Sequence, residues 1–168
     1  MLKLCGAERK RGGDMLDVGG DSYVTLAWAD AYVMENYTSA DERRLGWEAL
    51  AAVDKEVFLR RAARVLDSLP YPGMRSAKGQ AMAFPRGDFG GVPIDIMRAQ
   101  AEEALEYACP SIDTMQHAAR TGWVKSKTLD AYSVTYADNS ASLLEMTVVS
   151  TKARKALRRL MGGCFGIR

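Results

Sequence analysis

The segment that most constrains the fold is a compact loop, residues 80–86 (QAMAFPR), which continues through residues 90–92 to Pro93. A proline restricts its own φ and favours an extended conformation for the residue before it. Phe84-Pro85 and Val92-Pro93 therefore set the chain direction at two element boundaries. The pattern predicts a rigid structural loop, with no catalytic role, formed by Gln80, Phe84, Pro85, Arg86 and Pro93.

Amphipathic helix patterns lie on both sides of this loop. Before it, apolar residues at helical spacing predict a helix from about Val53 to Leu69, with arginines on its other side. After it, a helix should begin at Pro93 and stop at Pro110. The predicted apolar stripe of this helix comprises Ile94, Met97, Ala101, Leu105 and Ala108.

Two shorter helices are predicted near the ends of the chain. Thr25 is a plausible N-cap for a helix from Leu26 to about Asn36. A basic amphipathic helix from about Thr151 to Met161 should end at the glycine pair 162–163.

A change of period predicts a β-hairpin within residues 123–148. Tyr132, Val134 and Tyr136 alternate with polar residues, and Leu144, Met146 and Val148 alternate again after a turn-like Asp-Asn pair. The predicted fold is mainly α: a small helical bundle with a β-hairpin and extended N- and C-terminal arms. Its divisions are a flexible or partner-ordered glycine-rich arm (1–20), a helical domain (21–149) and a basic C-terminal helix or arm (150–168).

Composition excludes several classes of protein. With 48% hydrophobic and 26% charged residues among 168, the chain is typical of one soluble domain with a real core. Its longest mostly apolar stretch, from Leu26 to Met34, is too short to span a membrane, and the charged N-terminal residues do not resemble a secretory signal.

No motif predicts catalysis, a metal site or a cofactor. The three cysteines, Cys5, Cys109 and Cys164, are far apart and favour reduced thiols, and His117 has only the isolated Asp113 at ligand or triad spacing. The chain has no phosphate-binding glycine loop, no HExxH and no plausible nucleophile and base pair. We therefore expect a protein that is not an enzyme.

Charge is distributed unevenly along the chain. The net charge is +2, but the residues from Ser150 onward hold six basic side chains and no acidic one, so the rest of the chain carries −4. Such asymmetry is typical of contact with an acidic surface or with phosphates, although a solvated helix face would show it too. The candidate contacts are Lys152, Arg154, Lys155, Arg158 and Arg159.

Several segments occur in a fixed order along the chain: residues 22–32 (SYVTLAWADAY), Trp47, residues 58–67 (FLRRAARVLD), Gly73, residues 80–86 and Pro93. This ordered set resembles the head-to-tail adaptor (neck or connector) proteins of tailed bacteriophages, some of which are catalogued as DnaT-like single-stranded-DNA-binding proteins. The resemblance covers roughly residues 21–137, and Phe84 stands where that family commonly has tryptophan.

The resemblance implies a structural virion protein that forms a homo-oligomeric ring of about twelve copies between the portal and the next neck or tail protein. Genomic double-stranded DNA would pass through that ring. The protein would lie in the neck of the virion, and in the host cytoplasm during assembly. The implied partners are other copies of the chain, the portal, a downstream neck or tail protein and DNA, with no membrane and no cofactor.

The alternative is a DnaT-like single-stranded-DNA-binding protein. Single-strand binders combine positive grooves with aromatic side chains that stack on bases. Tyr132 and Tyr136 beside Lys125 and Lys127 are candidates for such an arrangement.

Overall fold

A computed structural model describes residues 16–87, 89–121, 126–129, 132–135 and 142–161. In chain order its elements are α1 (Leu26–Asn36), α2 (Glu42–Ala49), α3 (Ala52–Asp67), α4 (Ile94–Ala108), α5 (Ile112–Thr121), β1 (Ser126–Leu129), β2 (Tyr132–Thr135), α6 (Leu143–Thr147) and α7 (Thr151–Met161). The protein is mainly helical, as predicted.

Four predicted helices are confirmed as α1, α3, α4 and α7. The side chain of Thr25 caps α1 by accepting a hydrogen bond from the backbone N–H of Trp28, and Pro93 occupies the N-cap position of α4. α3 begins and ends within two residues of the predicted bounds. These helix starts depend on interactions among a few neighbouring residues, so they can be predicted from the sequence.

α4 is the central helix, and its predicted apolar stripe was partly wrong. Every residue from Ala99 to Glu106 is buried, including Gln100 and three glutamates, whereas Ile94 is 48% exposed. The reason is that α4 packs against α1, α2, α3 and α7, so almost its whole circumference faces protein. A stripe assumes one buried face, and α4 has several.

Two hydrophobic clusters meet along α3 and α4. One cluster joins the C-terminal half of α3 and the start of α4 to the 80–86 loop, α6 and α7. The other joins α1 and α2 to the opposite ends of α3 and α4 around the fully buried Trp47. Each fully buried large apolar side chain contributes about 1.5–3 kcal/mol, so these clusters account for most of the packing energy that holds the helices together.

The sequence predicted that the second strand of the hairpin would contain Leu144, Met146 and Val148, and this prediction was wrong. Residues 143–147 form α6, whose Ser142 side chain accepts from the Glu145 N–H while the Glu145 carboxylate accepts from the Ser142 N–H. Leu144 and Val148 are buried one helical turn apart, but Met146 is 54% exposed. In a strand these three residues would lie on the same face and share the same exposure. The Ser-x-x-Glu capping box was the local sequence signal for a helix that the prediction overlooked.

The described strands, β1 and β2, pair antiparallel with Ser126 opposite Thr135 and Leu129 opposite Tyr132.

Helices α2 and α5 were not predicted. Asp41 caps α2 through the N–H of Arg43. α5 begins where Ser111 and Thr114 donate to Glu106, a contact that is visible only in three dimensions.

The predicted arms fall largely outside the described residues. Residues 1–15 and 162–168 lie there, but Leu16 is buried against the second cluster and residues 17–22 form a hydrogen-bonded turn. The folded part of the chain therefore begins before residue 21.

The structural loop is organised around Gln80. Its side-chain amide donates to the carbonyl oxygens of Met82 (2.7 Å) and Pro85 (2.9 Å) and accepts from the N–H of Ala77 (3.1 Å). Phe84 is buried and packs edge-on against Tyr23 and Tyr71. The loop thus presents an aromatic side chain to the core, while Gln80 satisfies two of the loop's carbonyl oxygens.

Arg86 and Pro93 are the other two loop residues that the sequence indicated. Arg86 donates to the carbonyl oxygen of Gly73 (2.6 Å), and Gly73 has φ +80, which a residue with a side chain would adopt only with strain. Pro93 starts α4. The Phe84-Pro85 peptide bond is cis.

Candidate functional site

A cleft of about 310 Å³ lies between α1, α4 and α7. Its walls are formed by Tyr32 and Asn36 of α1, by Asp95, Arg98 and Glu102 of α4, and by Lys152, Lys155, Ala156 and Arg159 of α7. Residues from three distant parts of the sequence therefore meet at one surface.

The solvent-facing charge of the cleft is positive. Its four cations, Arg98, Lys152, Lys155 and Arg159, all lie on exposed positions of α4 and α7. Of its two acids, Glu102 is only 3% exposed and Asp95 is half-buried. Four accessible cations around one concave surface favour an anionic ligand.

The Glu102 carboxylate contacts side chains of all three helices that form the cleft. Its two oxygens accept hydrogen bonds from the hydroxyls of Tyr32 (2.8 Å) and Tyr37 (2.6 Å), and Lys152 Nζ lies 3.9 Å from the same carboxylate. Burial raises the pKa of each tyrosine hydroxyl above its ordinary value, and the nearby Glu102 carboxylate raises it further. Both hydroxyls therefore stay protonated and donate. One buried carboxylate thereby joins α1, α4 and α7.

Lys152 adds a second contact between α7 and the end of α1. Its Nζ donates to the hydroxyl of Tyr37 (2.9 Å) and lies 4.0 Å from the centroid of the same ring. This geometry allows a cation–π interaction. Lys152 therefore faces the cleft but is partly engaged within the protein.

The orientation of α7 depends on Glu103, the next residue of α4. Glu103 is fully buried and accepts from the backbone N–H groups of Val149 (3.0 Å) and Ser150 (2.9 Å). Asp113 accepts from the N–H of Thr151 (2.8 Å). Because these carboxylates occupy the N–H groups at the start of α7, that helix end is already neutralised and the cleft depends on side-chain cations.

The five predicted contacts on α7 separate into three groups. Lys152, Lys155 and Arg159 line the cleft. Arg158 points elsewhere and pairs with Glu145 at 2.9 Å. Arg154 is 5% exposed and donates to Thr151 (2.7 Å), so its position does not fit a contact with an external partner. The physical reason is helical periodicity, since Arg154 falls on the face that packs into the bundle.

Sequence reasoning missed two parts of the site. Arg98 lies on a helix for which only an apolar stripe was predicted, and Tyr32 lies on a helix for which no site residue was predicted. The tyrosines and lysines proposed for strand binding, Tyr132 and Tyr136 with Lys125 and Lys127, have side chains outside the described residues. A cluster of basic residues on one helix could be recognised from the sequence, but its facing helix could not.

The described residues contain no cluster of three or more histidine, cysteine or acidic side chains able to hold a metal ion. Within the same ranges no helix is long and apolar enough to cross a membrane.

His117 lies on α5, with Nε2 3.0 Å from the carbonyl oxygen of Met146. Cys109 is half-buried and has a free thiol, whose pKa is raised by burial. The arrangement in the cleft is suited to binding an anion.

No curated protein and no solved structure matches this chain. A family model does match, over residues 13–168, and its description is "Putative DnaT-like ssDNA binding protein". The match includes α1, α4 and α7 and hence every wall of the cleft. The chain belongs to this DnaT-like family.

Proposed function

We propose that the protein binds single-stranded DNA in the cleft between α1, α4 and α7. The observation that carries the proposal is the placement of four exposed cations, Arg98, Lys152, Lys155 and Arg159, around one concave surface with an aromatic side chain in its wall. Positive grooves lined with aromatic residues are the usual means of holding a single strand. The family description supports the same function.

Lys155 and Arg159 are the principal phosphate-binding residues in this proposal. They lie four residues apart on α7 and therefore project from the same face on successive turns. Both are exposed and line the cleft, whereas Lys152 also contacts Tyr37 and Glu102. The proposed role is binding and involves no catalysis.

The test is binding of a labelled oligo(dT), measured by fluorescence anisotropy at several salt concentrations. The double substitution Lys155→Gln with Arg159→Gln should weaken binding at least about tenfold, and it should reduce the slope of log affinity against log salt by about 0.7 for each phosphate that the variant no longer neutralises. Lys78→Gln is the matched control, because Lys78 is exposed on the 70–93 loop and does not line the cleft. Wild-type protein that fails to bind, or a double variant that binds like the control, would refute the proposal.

A second candidate function is the head-to-tail adaptor of tailed bacteriophages, acting in the virion neck as a ring that contacts the portal, a downstream neck or tail protein and the passing double-stranded DNA. Exposed apolar and acidic side chains outside the cleft favour it. Leu45 of α2 and Val53 and Val57 of α3 are 51%, 59% and 52% exposed, and Glu42, Glu48 and Asp54 are exposed on the same two helices. These six exposed side chains are apolar or acidic, whereas the exposed face of α7 is basic.

Two unlike, complementary surfaces on one chain are what a head-to-tail contact between identical subunits requires, and rotation then closes a ring. In this candidate, α2 and α3 of one copy meet α7 of the next. Charge reversal of Lys155 and Arg159 should then also weaken docking to the portal. Because that change affects both candidates, it does not separate them.

Val57→Asp separates the two functions, because Val57 lies outside the cleft. Mass measurement and electron microscopy, with the protein alone and after mixing with portal-containing capsids, should show a ring for wild type and none for Val57→Asp. Oligo(dT) binding should be the same for both proteins. Absence of a ring in both settings would reject the adaptor function and leave strand binding unaffected.

A further inference from the structure

Trp28 and Tyr32 form a stacked aromatic pair on α1. Their ring centroids are 5.5 Å apart and the ring planes are inclined by 11°. The residues are one turn apart on the helix, so one ring stacks on the other along its surface. Tyr32 lines the cleft, and Trp28 does not line it but stacks on Tyr32 from the preceding turn of α1.

The pair lies at the margin of the core. α1 contacts the interior through Ala29 and Val33, which are 0% and 1% exposed. Trp28 and Tyr32 are only partly buried and pack against the outside of that cluster. Part of their aromatic surface is therefore available to a ligand.

The orientation of Tyr32 is fixed. Its hydroxyl donates to Glu102, which is itself buried and held by Tyr37. A ring held by its hydroxyl and stacked on a second ring loses little conformational freedom when it meets a base. Arg98 and Lys155 line the same cleft, so phosphate-binding cations stand beside an ordered aromatic face.

We propose that the Trp28–Tyr32 pair is a base-stacking surface at the edge of the cleft, which makes the protein select strands with unstacked, unpaired bases. This inference rests on the proposed binding of single-stranded DNA. Stacking is tolerant of sequence, because every base has a π-face, but it needs a base that has left the duplex. The cations alone would bind any nucleic-acid backbone.

The test compares oligo(dT) with an abasic oligonucleotide of the same length and charge. Wild type should bind oligo(dT) about tenfold tighter than the abasic strand. Trp28→Leu should bring the two affinities close together without changing the salt slope. Trp28→Phe and Tyr32→Phe keep an aromatic ring and should retain most of the preference, which distinguishes stacking from a purely structural role of Trp28.

The results distinguish base stacking by Trp28 and Tyr32 from the binding of single-stranded DNA itself. Equal wild-type affinity for the two strands, or a preference that survives Trp28→Leu unchanged, would overturn the stacking inference while leaving strand binding in place. Binding to neither strand would overturn both. Near-ultraviolet circular dichroism of each variant verifies that the fold is intact.

Discussion

The hydroxyl of Tyr37 donates a 2.6 Å hydrogen bond to a buried oxygen of Glu102, sixty-five residues away in the chain. The bond joins the end of α1 to the middle of α4, and Lys152 of α7 approaches both partners. The cleft exists because these three helices are held in register at this point.

Tyr37→Phe and Glu102→Gln should each lower the free energy of unfolding by about 2 kcal/mol, because each removes a hydrogen bond to a charged, buried group. Urea unfolding followed by circular dichroism measures the decrease. Glu35→Gln is the control, since Glu35 is exposed on α1 and should change stability by less than about 0.5 kcal/mol. A decrease no greater than that of the control would mean that α1 and α7 are held by packing alone.

Tyr71 and Tyr23 should respond in opposite ways to replacement by phenylalanine. The buried Tyr71 hydroxyl has no hydrogen-bond partner among the described residues. That of Tyr23 donates to Asp67 and accepts from the Ala83 N–H. Tyr71→Phe should therefore leave stability unchanged or raise it by up to about 1 kcal/mol, while Tyr23→Phe should lower it by about 2 kcal/mol. Thermal and urea unfolding of the pair decide the matter, and equal destabilisation would contradict the assigned hydrogen bonds.

Glu103→Gln should loosen α7. The amide that replaces the carboxylate can accept only through one oxygen, so one of the N–H groups of Val149 and Ser150 loses its partner at a cost of about 2–3 kcal/mol. Amide hydrogen exchange should speed up in α7 more than in α3, and oligo(dT) affinity should fall because α7 carries Lys155 and Arg159. Uniform acceleration over both helices would point instead to global destabilisation.

Stability should fall as pH rises above about 10. The pKa values of Tyr23, Tyr32, Tyr37, Tyr71 and Tyr107 are all raised from the ordinary 10.0, primarily by burial. A raised pKa in the fold means that the unfolded chain ionises first, so the stabilisation is complete below the unfolded value and is lost above it. Phenolate absorbance should rise together with the loss of helical circular dichroism. Ionisation of all seven tyrosines near pH 10 with the helices intact would disprove the coupling.

The four longest helices, α1, α3, α4 and α7, were predictable from sequence, and the shorter α2, α5 and α6 were not. Thr25 and Pro93 located two helix starts correctly because capping depends on a few neighbouring residues. α5 escaped prediction because its start is stabilised by Glu106 of another helix. α6 was mistaken for a strand because its short segment happens to alternate, although Ser142 and Glu145 carry a local helix signature.

The candidate site was half predictable. The basic face of α7 is visible as a run of lysines and arginines, but helical geometry removes Arg154 from it, and Arg158 is paired with Glu145. The opposite walls come from Tyr32 and Arg98, more than fifty residues earlier. Periodicity within a helix says nothing about which other helix it will face.

The sequence by itself determined the mainly helical class, the bounds of α1, α3, α4 and α7, the proline-defined loop and the concentration of positive charge at the C-terminal end. Each of these follows from interactions among residues within a few turns of one another. Only the tertiary structure decided that Glu102, Glu103 and Glu106 are buried, and that Tyr32, Arg98 and Lys155 share one cleft. Those outcomes depend on contacts between distant segments, where the packing of α4 on four neighbours overrides the polarity of its own side chains.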